Sequence, residues 1–381
     1  MPLRQRVVVC RSLEEQMKDK MSMTRYGIHA LFVASILAAH LGAKETDAPV
    51  TMLPDEKETP RLTKWMSYRY GLFIHFNNNI YGKGQHPGSL PVSAYKPVKL
   101  DVESWVRMAK DAGMRYAVLT VKHDGGFCLW DSKVEFQGKE FEYDVAASEY
   151  KTDVVRAFLD ACAKYEIAPG FYYSLADTYA NRKQQLRAQF KAYEMPNDAF
   201  EHAKSQLLEL MTRYPECEYY WLDIPRAATL LQQGEIYDLL RRTNLNHVVL
   251  MNSHVAAGTD GEQDLWEKQE HGLYPSDVLN SEAAHTLPKG TVSKVQNWKG
   301  KKLFHGYEHC DIAGAGWFKT KKGKSVSELF ALYKNVRMAG GNLLLNVGPT
   351  ADGTMPGGFG KKLKELRKLI EPFEESLRKR E

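Results

Sequence analysis

From Trp65 onward the chain alternates short apolar runs with longer amphipathic ones. YGLFIHF (70–76), RYAVLTV (115–121), IAPGFYYS (167–174), EYYWLDI (218–224), HVVLMNS (247–253) and NLLLNVG (342–348) are almost continuously apolar and rich in aromatic and β-branched residues. Such runs predict strands covered on both faces. KLFHGYE (302–308) predicts one more. Between them the apolar positions recur at helical spacing. DVESWVRMAKDAG (101–113) carries a capping Asp101 at its start and Gly113 at its end, the punctuation of a helix. KTDVVRAFLDACAKYE (151–166), EIYDLLRRTN (235–244) and VSELFALYKNVRMAG (326–340) predict helices, and 179–214 predicts two helical stretches around Met195-Pro196-Asn197. The C-terminal KKLKELRKLIEPFEESLRKRE predicts a mixed-charge amphipathic helix. Residues 255–300, rich in Gly, Glu and His, give no regular period.

Strands and helices thus alternate seven or eight times, the pattern of a parallel sheet with helices outside it. The predicted fold is α/β, a (β/α)8-like barrel of the TIM type over residues 61–381. A doubly wound open sheet is the alternative. No GxGxxG or phosphate-binding loop follows any strand, which removes the usual nucleotide-binding reading of such a sheet.

The N-terminal segment differs in kind. IHALFVASILAAHLGA (28–43) is an apolar run after Arg25 that ends in small residues, the composition of a secretory leader and its cleavage zone. It is short for a membrane span, which needs about 20 apolar residues. Residues 1–43 are therefore expected to be a leader, with Met21 or Met23 as the true start, and 44–60 a polar linker. An amphipathic or disordered arm is the other reading. The expected location is outside the cytoplasm, periplasmic or extracellular, with no membrane span in the mature protein. The formal net charge of +5 over 381 residues comes with no dense basic stripe, so a nucleic-acid partner is not expected. The five cysteines, Cys10, Cys128, Cys162, Cys217 and Cys310, form no CxxC or Cys/His pair at zinc spacing, so no metal or other cofactor is expected.

What the strands carry at their C-terminal ends is more telling, because a barrel of this kind places its active site there. The ends supply His75 and Asn77, then Lys122, His123 and Asp124, then Tyr173, Ser174 and Asp177, then Asp223, Asn252 and His254, Glu308 and Asn346. One polar residue at a strand end is ordinary; His75 alone has a second reading as a core histidine, Asp223 as a helix cap, Glu308 as a loop acid. Convergence of so many at one mouth marks a polar-ligand site. Trp317 and Phe318 add aromatic faces of the sort that stack on sugars. Two carboxylates among histidines, asparagines and aromatics, without a cofactor motif, suit glycoside hydrolysis. A metal-dependent hydrolase would want HxH on the first strand, where this chain has His75-Phe76-Asn77.

YRYGLFIHF (68–76), the stretch 93–133 with KHDGGFCLWDSK, KTDVVRAFLDACAKYEIAPGFYYS, YYWLDI and GGNLLLNVGPTADGTMP (340–356) together resemble glycoside hydrolase family 29, the α-L-fucosidases. The resemblance implies a retaining exo-glycosidase acting on terminal α-L-fucosides of oligosaccharides or glycans by double displacement. It implies Asp223 as nucleophile and, from GYEHC, Glu308 as acid/base, with Glu282 and Glu267 as rivals. It implies His75 and His123 as sugar binders; the strand ends and the aromatic pair add Tyr173, Asn252 and Trp317 as further candidates. The family's KHHDGF is here KHDGGF, with Asp124 in place of the second histidine; Ile224-Pro225 replaces the glycine after the nucleophile; and MNSHV lacks the arginine of the family's NDRW-like stretch. α-L-Galactose, which differs from L-fucose by a hydroxyl at C6, and a non-catalytic relative that only binds L-sugars therefore stand as alternatives. The C-terminal β-sandwich of many members is not expected here, since the chain ends in a helix.

Overall fold

The computed structural model describes residues 59–84, 86–181, 195–252, 275–282, 294–298, 301–318 and 323–379. The expected leader and nearly all of the expected linker lie outside them, as do His254 and Glu267. Eight parallel strands form a nearly closed barrel: β1 (Tyr70–Ile74), β2 (Tyr116–Lys122), β3 (Ala168–Ser174), β4 (Tyr219–Asp223), β5 (Val248–Met251), β6 (Val278–Glu282), β8 (Lys301–Ile312) and β9 (Asn342–Asn346). Their order is β5-β4-β3-β2-β1-β9-β8-β6, and β7 (Lys294–Trp298) pairs antiparallel with β8. This is the expected (β/α)8 barrel. One of its strands, β6, and the appended β7 come from the segment in which the sequence showed no period.

Helices cover the outside: α2 (Val102–Asp111), α3 (Val154–Tyr165), α4 (Asn197–Arg213), α5 (Leu230–Thr243), α6 (Val326–Met338) and α7 (Phe359–Arg378). The Asp101 side chain accepts from the Ser104 amide as predicted, and Gly113 follows the helix at φ 76°, the left-handed conformation that glycine adopts without strain. Helix α5 starts at Leu230, earlier than its apolar pattern, because Thr229 and Gln232 form a capping box there. One further helix, α1 (Thr59–Met66), occupies the end of the expected linker.

Side chains alternate across each strand, and two cores result. Leu72, Leu119, Tyr173, Tyr220, Leu222 and Leu345 face the helices. Phe73, Tyr116, Val118, Tyr172, Tyr219, Trp221, Leu250 and Leu344 fill the barrel with Trp65 of α1. The β5–β6 seam carries no regular ladder; Asp277 spans it instead. Its amide donates to the Val249 carbonyl at 2.8 Å, and its carboxylate accepts from the Val249 amide at 2.8 Å. Arg61 of α1 meets that carboxylate with two bonds of 2.8 Å. Burial raises the Asp277 carboxyl's affinity for a proton, but Arg61 outweighs it and holds the group below its ordinary range.

Candidate active site

Asp223 ends β4 with its carboxylate at the mouth. Inward alternation from Tyr219 and Trp221 puts it there. Oδ2 accepts from the Tyr172 hydroxyl at 2.5 Å and Oδ1 from Asn252 Nδ2 at 2.7 Å. The next residue, Ile224, is left-handed at φ 50° and ψ 52°. A β-branched residue rarely adopts that conformation, at a cost of roughly 1–3 kcal/mol. It turns the chain sharply into Pro225 and leaves the carboxylate projecting from the strand end.

The same Asn252 Nδ2 also donates to Glu282 Oε2 at 3.1 Å, while Asn252 Oδ1 accepts from Asn280 Nδ2 at 2.5 Å. The pattern V-N-E on β6 alternates inward, so Asn280 and Glu282 rise toward the mouth together. Because one nitrogen reaches both acids, their nearest oxygens lie no further apart than the sum of the two distances, 5.8 Å.

Histidines line the adjoining wall. His75 Nδ1 donates to Asn346 Oδ1 at 2.8 Å, and Asn346 Nδ2 is fixed by the Trp317 carbonyl at 2.9 Å. That bond assigns the His75 proton to Nδ1 and leaves Nε2 as an acceptor. Burial, reinforced by His123, pushes the His75 pKa well below its usual value against the pull of Asn346, so the ring is neutral. His123 reaches the mouth through a bulge. The β2–β3 register shifts between Thr120 and Lys122, so Lys122 turns outward, with Nζ 2.7 Å from Asp177 and over the Tyr173 ring. His123 then turns inward and stacks on Tyr172, centroids 5.3 Å apart and planes 9° apart. Its Nδ1 lies 2.8 Å from Asp124 Oδ1. Trp317 covers His75 at 4.9 Å, and Phe318 contacts both His75 and His123.

Two expected site residues lie elsewhere. Tyr173 faces the helices, where its hydroxyl donates to Gln206 at 2.8 Å; strand parity makes Tyr172 the inward residue. Glu308 is fully buried inside the barrel and accepts from the Tyr116 hydroxyl at 2.7 Å, the Tyr219 hydroxyl at 3.0 Å and Trp221 Nε1 at 2.8 Å. Tyr116 and Tyr219 open β2 and β4, so the glutamate is held toward the strands' beginnings. Strand β8 runs on to Ile312, and Glu308 sits four residues short of its mouth end. Among the described residues no group of three or more His, Cys, Asp or Glu is arranged to hold a metal ion.

Asp223, Asn252, His75, His123 and Trp317 are brought together as expected. Tyr172, Asn280 and His86 join them without having been singled out, and Glu282 was only a rival. Parity from Asp223 through the paired Ser174 would have identified Tyr172, and the V-N-E alternation would have identified Asn280 and Glu282.

The family model for alpha-L-fucosidase matches residues 51–372. The chain belongs to this family. Among curated relatives, alpha-L-fucosidase 1 of Arabidopsis thaliana is 26% identical over 86% of this chain and 62% of its own length. Human plasma alpha-L-fucosidase is 24% identical over 79% and 60%. The chain thus spans about three fifths of these fucosidases. Among solved structures, alpha-L-fucosidase isoenzyme 1 from Paenibacillus thiaminolyticus superposes with a TM-score of 0.62 at 23% identity, covering 82% of this chain and 76% of that one. A family 29 fucosidase from Bacteroides thetaiotaomicron, a covalent intermediate trapped with 2-fluoro-fucosyl fluoride in a Glu-to-Gln mutant, gives 0.64 at 22% identity, covering 85% and 78%. These likenesses establish that the fucosidase barrel is the fold of this chain.

Proposed function

We propose that the protein is a retaining α-L-fucosidase acting on terminal fucose of oligosaccharides or glycans, with Asp223 as nucleophile and Glu282 as acid/base. One observation carries this reading: the Asn252 amide bonded to both carboxylates, which keeps their nearest oxygens within 5.8 Å of each other. Retaining glycosidases hold their carboxyl groups about 5–5.5 Å apart, and inverting ones need about 6.5–9.5 Å to admit a water. In the first step an Asp223 oxygen bonds to the anomeric carbon as the glycosidic bond breaks, and Glu282 gives its proton to the departing oxygen. In the second, water attacks the same carbon, its proton returns to Glu282, and the ester to Asp223 breaks. Tyr172 and Asn252 orient the nucleophile. His75 accepts from a sugar hydroxyl through Nε2, and Trp317 and Phe318 cover an apolar face of the ring. Glu308, sealed beneath Trp221, takes no part in proton transfer. The trapped covalent intermediate of the Bacteroides relative, made with a Glu-to-Gln mutant, supports the same two-step course.

The test is nitrophenol release from α-L-fucoside, α-L-galactoside and D-sugar glycosides. Fucoside turnover is expected, lost in Asp223→Ala and partly restored by azide. Glu282→Gln should slow substrates with poor leaving groups by roughly 10²–10⁴-fold, while Glu308→Gln spares the chemical step. Loss of turnover in Glu308→Gln with Glu282→Gln active would reverse the assignment. Preference for the galactoside would move the substrate to L-galactose, and sugar binding without turnover would leave a lectin-like relative.

Export is proposed from the apolar run at 28–43. N-terminal sequencing of protein recovered from the periplasm or medium should begin near residue 44, and an uncleaved cytoplasmic product would contradict it.

A further inference from the structure

His86 has no part in the two-carboxylate chemistry, yet it is held as carefully as the residues that do. It sits on the loop after β1, between Gly84 and Gly88, both at positive φ. Its Nδ1 bonds Asp124 Oδ2. The other oxygen of that buried carboxylate accepts from Asn79 Nδ2 at 2.7 Å and lies 2.8 Å from His123 Nδ1. One carboxylate therefore fixes two imidazoles, whose rings lie 6.1 Å apart and 28° from parallel. Ser89 ties the same loop to the Gly125 carbonyl at 2.8 Å.

The order of the rings says where His86 points the sugar-binding surface. Asp223 is bonded by Tyr172, Tyr172 stacks on His123, and His123 faces His86. His86 stands at the end of this row remote from the nucleophile. With Nδ1 committed to Asp124, its one remaining polar atom is Nε2, which no described residue bonds, and 31% of the side chain is exposed. That open nitrogen, in line with the ring row, is available to a bound sugar. KHDGGF carries one histidine where the family's KHHDGF carries two, and Asp124 brings a second imidazole in from the loop.

Resting on the fucosidase reading above, we propose that His86 is a substrate-contacting specificity residue whose Nε2 hydrogen-bonds a hydroxyl on the side of the pyranose away from the anomeric carbon, at C3 or C4. The bond to Asp124 raises the imidazole pKa against the opposing effect of burial, and the Asp124, Asp223 and Glu282 charges raise it further. Protonated, the ring donates at Nε2; neutral, it accepts there; a sugar hydroxyl pairs with either form.

The experiment pairs His86→Ala with substrate deletions. kcat/KM is measured for nitrophenyl α-L-fucoside and its 3-deoxy and 4-deoxy analogues. His86→Ala should cost the fucoside roughly 5- to 100-fold, the cost of leaving a desolvated hydroxyl unpaired. On the analogue lacking the contacted hydroxyl, the cost should shrink to within about threefold. His86→Gln, which keeps a donor, should recover part of the loss. Equal losses on all three substrates, or no loss, would overturn the assignment while leaving the fucosidase reading standing. If wild type neither turns over the fucoside nor binds deoxyfuconojirimycin by calorimetry, the reading falls first and the assignment with it.

Discussion

Tyr172 gives its hydroxyl to Asp223 at 2.5 Å, whereas Tyr173, one residue on, gives its own to Gln206 at 2.8 Å on the far side of the sheet. Both are fully buried, so burial does not separate them; the direction of the side chain does. Tyr172→Phe is expected to lower kcat on nitrophenyl α-L-fucoside by about tenfold with little change in melting, since on the proposed mechanism it removes a bond that orients the attacking Asp223 carboxylate. Tyr173→Phe should leave kcat within about twofold and cost about 1–2 kcal/mol, because the Gln206 oxygen loses its buried donor. Steady-state kinetics beside urea unfolding tests the pair, and a larger kcat loss in Tyr173→Phe would contradict the placement. The same parity explains which candidates were legible. His75, Asp223 and Asn252 close apolar runs whose inward faces are readable from the runs themselves. Glu308 misled because KLFHGYE resembles a complete strand, while β8 continues to Ile312.

At the scale of elements, legibility followed the density of apolar residues. Strands β1 to β5 and β9 were evident because both their faces are covered. Strand β6, VLNSE, is half polar: of its inward residues Val278 joins the core while Asn280 and Glu282 serve the mouth, so the element that supplies Glu282 carries the weakest strand signal. The β2 bulge left no trace in composition either. Val121 and Lys122 look like the uninterrupted end of a strand, and only pairing with β3 shows that the register slips there. That slip turns His123 toward Tyr172 and sends Lys122 to Asp177. Bulges near active sites commonly re-aim a side chain in this way. Helix α1 was hidden for a different reason. Its first residues are polar, and it is held by contacts distant in the chain, Arg61 to Asp277 and Trp65 beside Tyr219.

For the molecule as a whole, the interior is more polar than a simple hydrophobic barrel, and this has a pH signature. Burial pushes the Glu308 carboxyl up to about 7, against the pull of its Tyr116, Trp221 and Tyr219 donors. In an unfolded chain the group titrates near 4.3. Between those values the folded state holds the proton that the unfolded state has released, so this group's contribution to stability is present below about pH 4, falls as pH rises toward 7, and is flat above. The total is at most about 4 kcal/mol. Melting temperatures of wild type and Glu308→Gln, compared from pH 4.5 to 8, should show a smaller loss with rising pH in the variant; parallel profiles would contradict it. Cys128, Cys162, Cys217 and Cys310 are all buried free thiols, so the described barrel is held by packing and hydrogen bonds. The sequence by itself determined the alternation of strands and helices, for which a barrel was the better of two architectures, and made the carboxylate at the end of YYWLD stand out, because covered strands must be apolar and a polar terminus is conspicuous against them. Only the tertiary structure decided which second carboxylate faces Asp223, which tyrosine of the Tyr172-Tyr173 pair looks inward, and that His86 shares Asp124 with His123. Those pairings join residues 30 to 60 positions apart through register, bulge and seam, and no local pattern encodes the register between strands.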